Sequence, residues 1–246
     1  MLTEANIQRY EERSFNAWPA LQSIVADGWL LRFAQGHTKR ANSVNALSSA
    51  VALDTIVDVA EPLYRQFDLP LVFRLTPLVP ARFDAELEQR GFASLDPTLV
   101  MTRRLDAPVA ADPAVSLTER ATPDWLHGVD EAAHLSHTAR QTHRAMLAAL
   151  RLPAVFATLV EDGVPQGYGF AVYERESVGL FDVVTLPHVR RRGVSSRLCK
   201  TLLAWGRLRG AREGYLQVTA SNHGALALYR NLGFASAYPY HYRVLA

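Results

Sequence analysis

The chemistry-bearing stretch of this chain is Phe181-Asp182-Val183-Val184-Thr185-Leu186-Pro187-His188-Val189-Arg190-Arg191-Arg192-Gly193-Val194-Ser195-Ser196. A strand-like run ends at Pro187, three arginines and a glycine turn the chain, and a helical pattern opens directly behind them. The start of a helix offers backbone N–H groups without intrahelical partners, at the positive end of its dipole. Gly193 permits close backbone approach, and Ser195 and Ser196 are small enough to leave the first turn open. Together these features make an anion cradle suited to a phosphate or pyrophosphate. The competing reading is a capped helix behind a solvated arginine run. Spacing excludes two other phosphate loops, since no Gly-x-x-x-x-Gly-Lys-Ser/Thr run occurs and one glycine cannot make Gly-x-Gly-x-x-Gly.

Further along, Asn222 and Tyr229 stand seven residues apart on one helical face, ahead of Gly233-Phe234. Asn222 suits a helix cap. Tyr229 by itself reads as an ordinary half-buried helix aromatic.

The elements that must position these residues follow from periodicity. Val194, Leu198, Leu202 and Trp205 share one face, which predicts a helix over 194–209. Around it the second half reads as a strand at 115–119, helices at 123–135 and 138–151, and strands at 154–160, 166–174, 178–185 and 214–219. A helix at 223–232 and strands in the last dozen residues complete it. The first half reads as a helical lead at 3–12, strands at 28–34 and 41–48, a helix at 53–67, a strand at 70–75, a helix at 81–90 and strands to about 104. Strands alternating with helices predict an α/β (α+β) protein, a mixed central sheet with flanking helices and at least one parallel pair. The Ala-, Pro- and Asp-rich segment 107–114 reads as a linker between 1–106 and 115–246. Gly91-Phe92-Ala93-Ser94-Leu95-Asp96-Pro97 echoes Gly233-Phe234-Ala235-Ser236-Ala237-Tyr238-Pro239, each after an amphipathic helix, which suggests a duplicated fold.

Arg190-x-x-Gly193-x-Ser195 resembles the Arg/Gln-x-x-Gly-x-Gly/Ala loop of the GNAT superfamily of N-acetyltransferases, with Ser195 at a position usually Gly or Ala. Asn222-x-x-Ala225-x-x-Leu228-Tyr229-x-x-x-Gly233-Phe234 is similar to the superfamily's downstream motif. The resemblance covers about 115–246; the first half looks like a degenerate second copy that lacks Gly or Arg at Leu47-Ser48-Ser49-Ala50-Val51. It implies acetyl-coenzyme A as co-substrate, held in a V-shaped opening between two diverging parallel strands. Main chain at Val183, Val184 and Thr185 would pair with the pantetheine arm and supply an oxyanion N–H. The loop of Arg190, Arg191, Arg192, Gly193, Val194, Ser195 and Ser196 would hold the pyrophosphate, amides first, with Asn222 beside it. Tyr229 is the implied acid for the leaving thiolate, and Asp182 the first-ranked base. An amine acceptor would attack directly, with no covalent enzyme intermediate. The rival is a non-catalytic module that binds an acyl-coenzyme A or a small ligand.

Composition narrows the partners. The 246 residues carry a net charge of +2, so no global field draws the chain to nucleic acid. No apolar stretch is long enough to span a bilayer, and the polar start lacks a signal peptide's core, so a cytoplasmic protein is expected. A homodimer is left open. Cys199, the single cysteine, is expected to pack rather than react. Glu131, His134 and His137 could share a helix face, but no further ligand is identifiable and no metal is expected. These histidines, with His127 and His143, read as solvated, with substrate contact as the alternative, and Thr38–Asn45 reads by default as a hairpin connection, with a pocket wall between the halves as the alternative.

Overall fold

The computed structural model describes residues 3–51 and 55–245. Helix α1 (Glu4–Ala17) is capped by the Thr3 hydroxyl and is longer than the expected lead. A hairpin of β1 (Gln22–Ala26) and β2 (Trp29–Phe33) follows. Its turn uses Asp27 and Gly28, both at positive φ (47° and 83°), as a tight two-residue hairpin demands. Sequence reading missed β1, a short strand in which no residue is buried. The expected strand at 41–48 is only β3 (Val44–Ala46), preceded by a 3-10 turn at Lys39–Ala41. Helix α2 (Ile56–Gln66), β4 (Leu71–Leu75), α3 (Ala81–Gln89) and β5 (Ala93–Arg104) complete the first half. Positions 53 and 54 of the helix expected at 53–67 lie outside the described residues.

Residues 105–114 carry no helix or strand. The second half runs β6 (Val115–Thr118), α4 (Pro123–Ala132), α5 (His137–Ala149), β7 (Ala154–Glu161), β8 (Val164–Glu174) and β9 (Ser177–Thr185). Helix α6 (Val194–Leu208), β10 (Glu213–Thr219), α7 (His223–Asn231) and β11 (Ala235–Leu245) end the chain. The last dozen residues thus hold one long strand rather than several.

All eleven strands form one mixed sheet in the order β1-β2-β3-β4-β11-β5-β10-β9-β8-β7-β6. Among the described residues, only β3/β4 and β9/β10 are parallel neighbours. Each of these pairs is joined through a helix, α2 or α6, as a parallel crossover requires. The two echoed Gly-Phe-Ala-Ser segments lead into β5 and β11, and these strands change places. β11 pairs with β4 of the first half, β5 pairs with β10 of the second, and β5 and β11 pair with each other.

The sheet divides the apolar interior. Leu216 and Val218 of β10 join Leu198, Cys199 and Leu202 of α6 on one face. Tyr215 of the same strand faces the other side, where Trp18, Trp125, Phe170 and Phe181 pack with the aromatics of β11. Each of these buried side chains contributes about 1.5–3 kcal/mol, so the exchanged strands are held from both faces. Helix α6 sits unusually close to β9, because a Cβ on Gly206 would lie 2.5 Å from Val178.

Candidate active site

β9 and β10 run parallel through Glu213↔Ser177, Gly214↔Val178 and Tyr215↔Gly179, and pair no further. β8 covers the other edge of β9 as far as Thr185. The β10-facing edge of β9 beyond Gly179 is therefore without a ladder partner, and a cleft opens there. A cavity of about 600 Å³ occupies it, lined by Val183, Val184 and Thr185 on one side and by Asn222 and Tyr229 on the other.

The floor of the cavity is the turn into α6. Val189 and Val194 are buried and anchor its two ends, while Arg190, Arg191, Arg192 and Gly193 between them are exposed. Arg191 and Gly193 both take left-handed backbone, φ 64° and 80°. This reversal gathers consecutive amides into a concave nest. Thr122, Ser136 and Asn222 cap α4, α5 and α7 with their side chains, but α6 has no side-chain cap. Its first amides, at Val194, Ser195 and Ser196, are left facing the cavity that these residues line. Arg190 and Arg191 line it as well, whereas Arg192 stands outside it. The Ser195 hydroxyl is 2.6 Å from that of Thr185, tying the helix start to the end of β9. Behind the turn, Arg197 holds Asp112 at 2.6 Å and fixes the segment before β6 against α6.

Asn222 accepts the Ala225 N–H at 3.1 Å, so it caps α7 while lining the cavity. Tyr229 is buried, its ring 6.0 Å from that of Phe234, and its hydroxyl bonds no other described residue. Burial pushes its phenol well above the ordinary tyrosine range, so the group stays protonated. Cys199 lies on the buried face of α6 and its thiol is pushed up to about 12 by desolvation, which leaves no thiolate nucleophile.

Asp182 lies at a bulge. The β8–β9 register slips between Tyr168↔Val184 and Phe170↔Phe181, so one residue, Gly169, opposes two. Asp182 takes φ 46° there. In a regular strand Phe181 and Asp182 would face opposite sides of the sheet. Here Phe181 packs in the aromatic cluster on the α5 side, and Asp182 reaches the same side to meet His143 of α5. Its Oδ2 is 2.8 Å from His143 Nε2. The Asp182 side chain is 18% exposed and that of His143 2%, so the carboxylate is the accessible member of the pair. A bulge re-aims a side chain in this way next to many active sites.

A model of the family described as "Probable histone acetyltransferase Rv0428c C-terminal" matches residues 4–243. The chain belongs to this family. It is a GNAT N-acetyltransferase. An uncharacterized N-acetyltransferase of Bacillus subtilis (strain 168), YobR, is 25% identical over 257 residues, covering 97% of this chain and 98% of the relative. The fold is shared with a GCN5-related N-acetyltransferase from Kribbella flavida, with TM-score 0.71 and 16% identity over 99% of this chain and 96% of the other. It is also shared with a tandem GNAT protein from the clavulanic acid biosynthesis pathway, with TM-score 0.61 and 13% identity over 96% and 86%. Among the described residues, no helix is long and apolar enough to cross a membrane.

Two groups of residues in this GNAT enzyme depart from the default sequence reading. The first is His143, expected to be solvated but buried against Asp182, with Trp18 and His37 beside it at ring-centroid distances of 5.7 and 5.4 Å. Its position on the apolar face of α5, shared with Met146, was the available signal. The second is the turn at Thr38–Arg40. It does connect antiparallel β2 and β3, but it also lines a second cavity with β5, β10 and β11. The remaining histidines do not converge. His134 falls between α4 and α5 rather than on a helix with Glu131 and His137, Glu131 pairs with Arg140, and His137 meets Gln141.

Proposed function

We propose that this protein transfers the acetyl group of acetyl-coenzyme A to a primary amine by direct attack. The observation that carries the reading is the unpaired edge of β9 running into the uncapped start of α6. The edge suits an amide-bearing arm that adds like a strand, and the helix start suits a pyrophosphate. The cavity of about 600 Å³ is large enough for that arm and its phosphates. The superfamily uses this co-substrate generally, and the residues present fit it: amides of Gly193 to Ser196 for the phosphates, Arg190 and Arg191 for added charge, Val183 to Thr185 for the arm.

In the reaction the amine nitrogen bonds to the thioester carbon, the carbon–sulfur bond breaks, and sulfur leaves with the bonding pair. An N–H on β9 near Val184 or Thr185 meets the transient oxyanion. The attacking nitrogen loses one proton to Asp182, which His143 holds in place. Tyr229 hydrogen-bonds the leaving sulfur and supplies the proton that makes it a thiol, so the protons balance. The same proposal divides the chain at 107–114 into two GNAT-like halves, 1–106 and 115–246, with the reaction in the second.

Acetyl-coenzyme A turnover with an amine panel that includes histones, the substrate in the matched family's description, tests the reading. Tyr229→Phe is expected to lower kcat about 100-fold with little change in KM for the co-substrate. Tight coenzyme A binding with no turnover of any amine would make the protein a regulatory acyl-coenzyme A module instead.

A further inference from the structure

The acetyl-transfer reading leaves the acceptor open, and a second cavity bears on it. This cavity, of about 290 Å³, lies against Gln217 and Thr219, the β10 residues that follow the parting of β10 from β9 at Tyr215. Gln217 and Thr219 share a face of β10 with Tyr215, the face on which Asp182 meets His143, and a crevice of about 10 Å³ lined by Trp18, Arg40, Phe181 and Gln217 adjoins the cavity there. The second cavity is therefore on the acceptor side of the cleft, away from the α6 turn.

Its remaining wall comes from the first half of the chain and is built to be rigid. Asn42 is buried and bonds five main-chain groups of the preceding turn: it accepts from the N–H of Ala34 (2.7 Å) and of Gly36 (3.0 Å), and donates to the carbonyls of Ala34 (3.4 Å), His37 (3.0 Å) and Thr38 (2.9 Å). Buried Arg32 donates to the Arg40 carbonyl at 2.7 Å. Gln217 is fixed as well, accepting from the Tyr240 hydroxyl at 2.8 Å and donating to Ser14 at 2.9 Å.

The charges in this wall do not cancel. Lys39 is neutralised by Asp96, Nζ to Oδ2 at 2.9 Å. The Arg40 guanidinium lies 4.8 Å from the centroid of the Trp18 ring, and no carboxylate among the described residues pairs with it. One guanidinium with free donors, oriented on an aromatic face inside a polar cavity, matches one singly charged planar anion. We propose that this cavity receives the acceptor and that Arg40 selects amines that also carry a carboxylate, the chemistry of an amino acid or a short peptide with a free C-terminus. The same positive charge works against a lysine- and arginine-rich tail. The proposal rests on the acetyl-transfer reading.

The test compares free amino acids and dipeptides with their C-terminal amides as acceptors, alongside a lysine- and arginine-rich peptide. The wild-type protein should prefer the carboxylate over its amide by about 10-fold or more in kcat/KM. Arg40→Gln should bring that ratio close to one, and Arg40→Lys should restore part of it, while coenzyme A affinity and the melting temperature of both variants stay at wild-type values. Carboxylate and amide acetylated equally, a ratio that survives Arg40→Gln, or the basic peptide as the best acceptor would overturn the proposal and leave acetyl transfer standing. If coenzyme A binds but no panel member is acetylated, calorimetric titration of N-acetyl amino acids and their amides onto the coenzyme A-loaded protein decides, and equal or absent binding overturns the proposal. Absence of coenzyme A binding would instead remove the acetyl-transfer reading, and this proposal with it.

Discussion

Each half of the chain follows one strand of a parallel pair with a segment that could hold an anion, and the two segments have opposite fates. After β3, Ser49 gives its amide (3.1 Å) and its hydroxyl (2.6 Å) to Oε1 of Glu4, at the start of α1. After β9, the turn at 190–193 collects the amides at the head of α6, and no side chain among the described residues caps them. The first half answers its own donors with a carboxylate, and the second leaves them for a ligand. The difference also reaches the strands. β3 pairs with β2 in unbroken register, and Asn45 on it turns back to the Ser43 carbonyl at 2.7 Å. β9 slips at Asp182 and sends a carboxylate across to α5. A binding site on this fold needs both a gathered set of donors and the absence of an internal partner for them.

The largest effect should come from making the second half resemble the first. Gly193→Asp places a carboxylate on the helix start, where it caps the amides as Glu4 caps Ser49. A Cβ at 193 meets no atom within 4 Å, and Asp is among the residues that tolerate left-handed backbone, so the fold should survive. Coenzyme A affinity, measured by calorimetry, should fall about 100-fold or more, since a donor set is lost and a like charge gained. Unchanged affinity would remove the distinction between the halves.

Asp182→Asn should have the next largest effect, because it breaks the contrast at the bulge rather than at the cradle. The expected outcome is a fall in kcat of about 10- to 100-fold with coenzyme A affinity retained. A milder loss of kcat in His143→Asn, with KM for both substrates unchanged, would mark His143 as a positioning residue. A wild-type kcat in Asp182→Asn would assign the proton to another group.

These contrasts were unevenly legible in the amino-acid sequence. The head of α6 was legible because its signals are local: a glycine, small residues and a 3.6-residue apolar period fix both the turn and the helix. Asn222 as a cap was legible for the same reason. The exchange of β5 and β11 was not, because a strand's pattern records that it is buried and not which neighbour covers it. Nor was the bulge, where the left-handed residue is Asp182 rather than a glycine. The side chain that Asp182 meets, and the cavity that Arg40 lines, depend on tertiary packing between α5, the turn at 34–42 and β10. No local spacing encodes those.

The smallest effect tests whether Glu4 merely fills the first half's donors or suppresses a second site. The hydrogen bonds from Ser49 hold the Glu4 carboxyl below its ordinary value of 4.5. A carboxylate whose folded-state pKa is depressed adds stability above the unfolded value, and that contribution is lost as pH falls through the folded one. The melting temperature of Glu4→Gln should therefore sit about one to two degrees below wild type at neutral pH, the scale of an exposed charge contact, and converge with it in acid. Because Ser49 lies ahead of no glycine–arginine turn, freeing it should not create a phosphate cradle. Calorimetry of Glu4→Gln should give one equivalent of coenzyme A, as for wild type. A second equivalent would mean that the first half keeps a working site which its own N-terminal helix holds closed, and the contrast between the halves would become one of occupancy rather than of architecture.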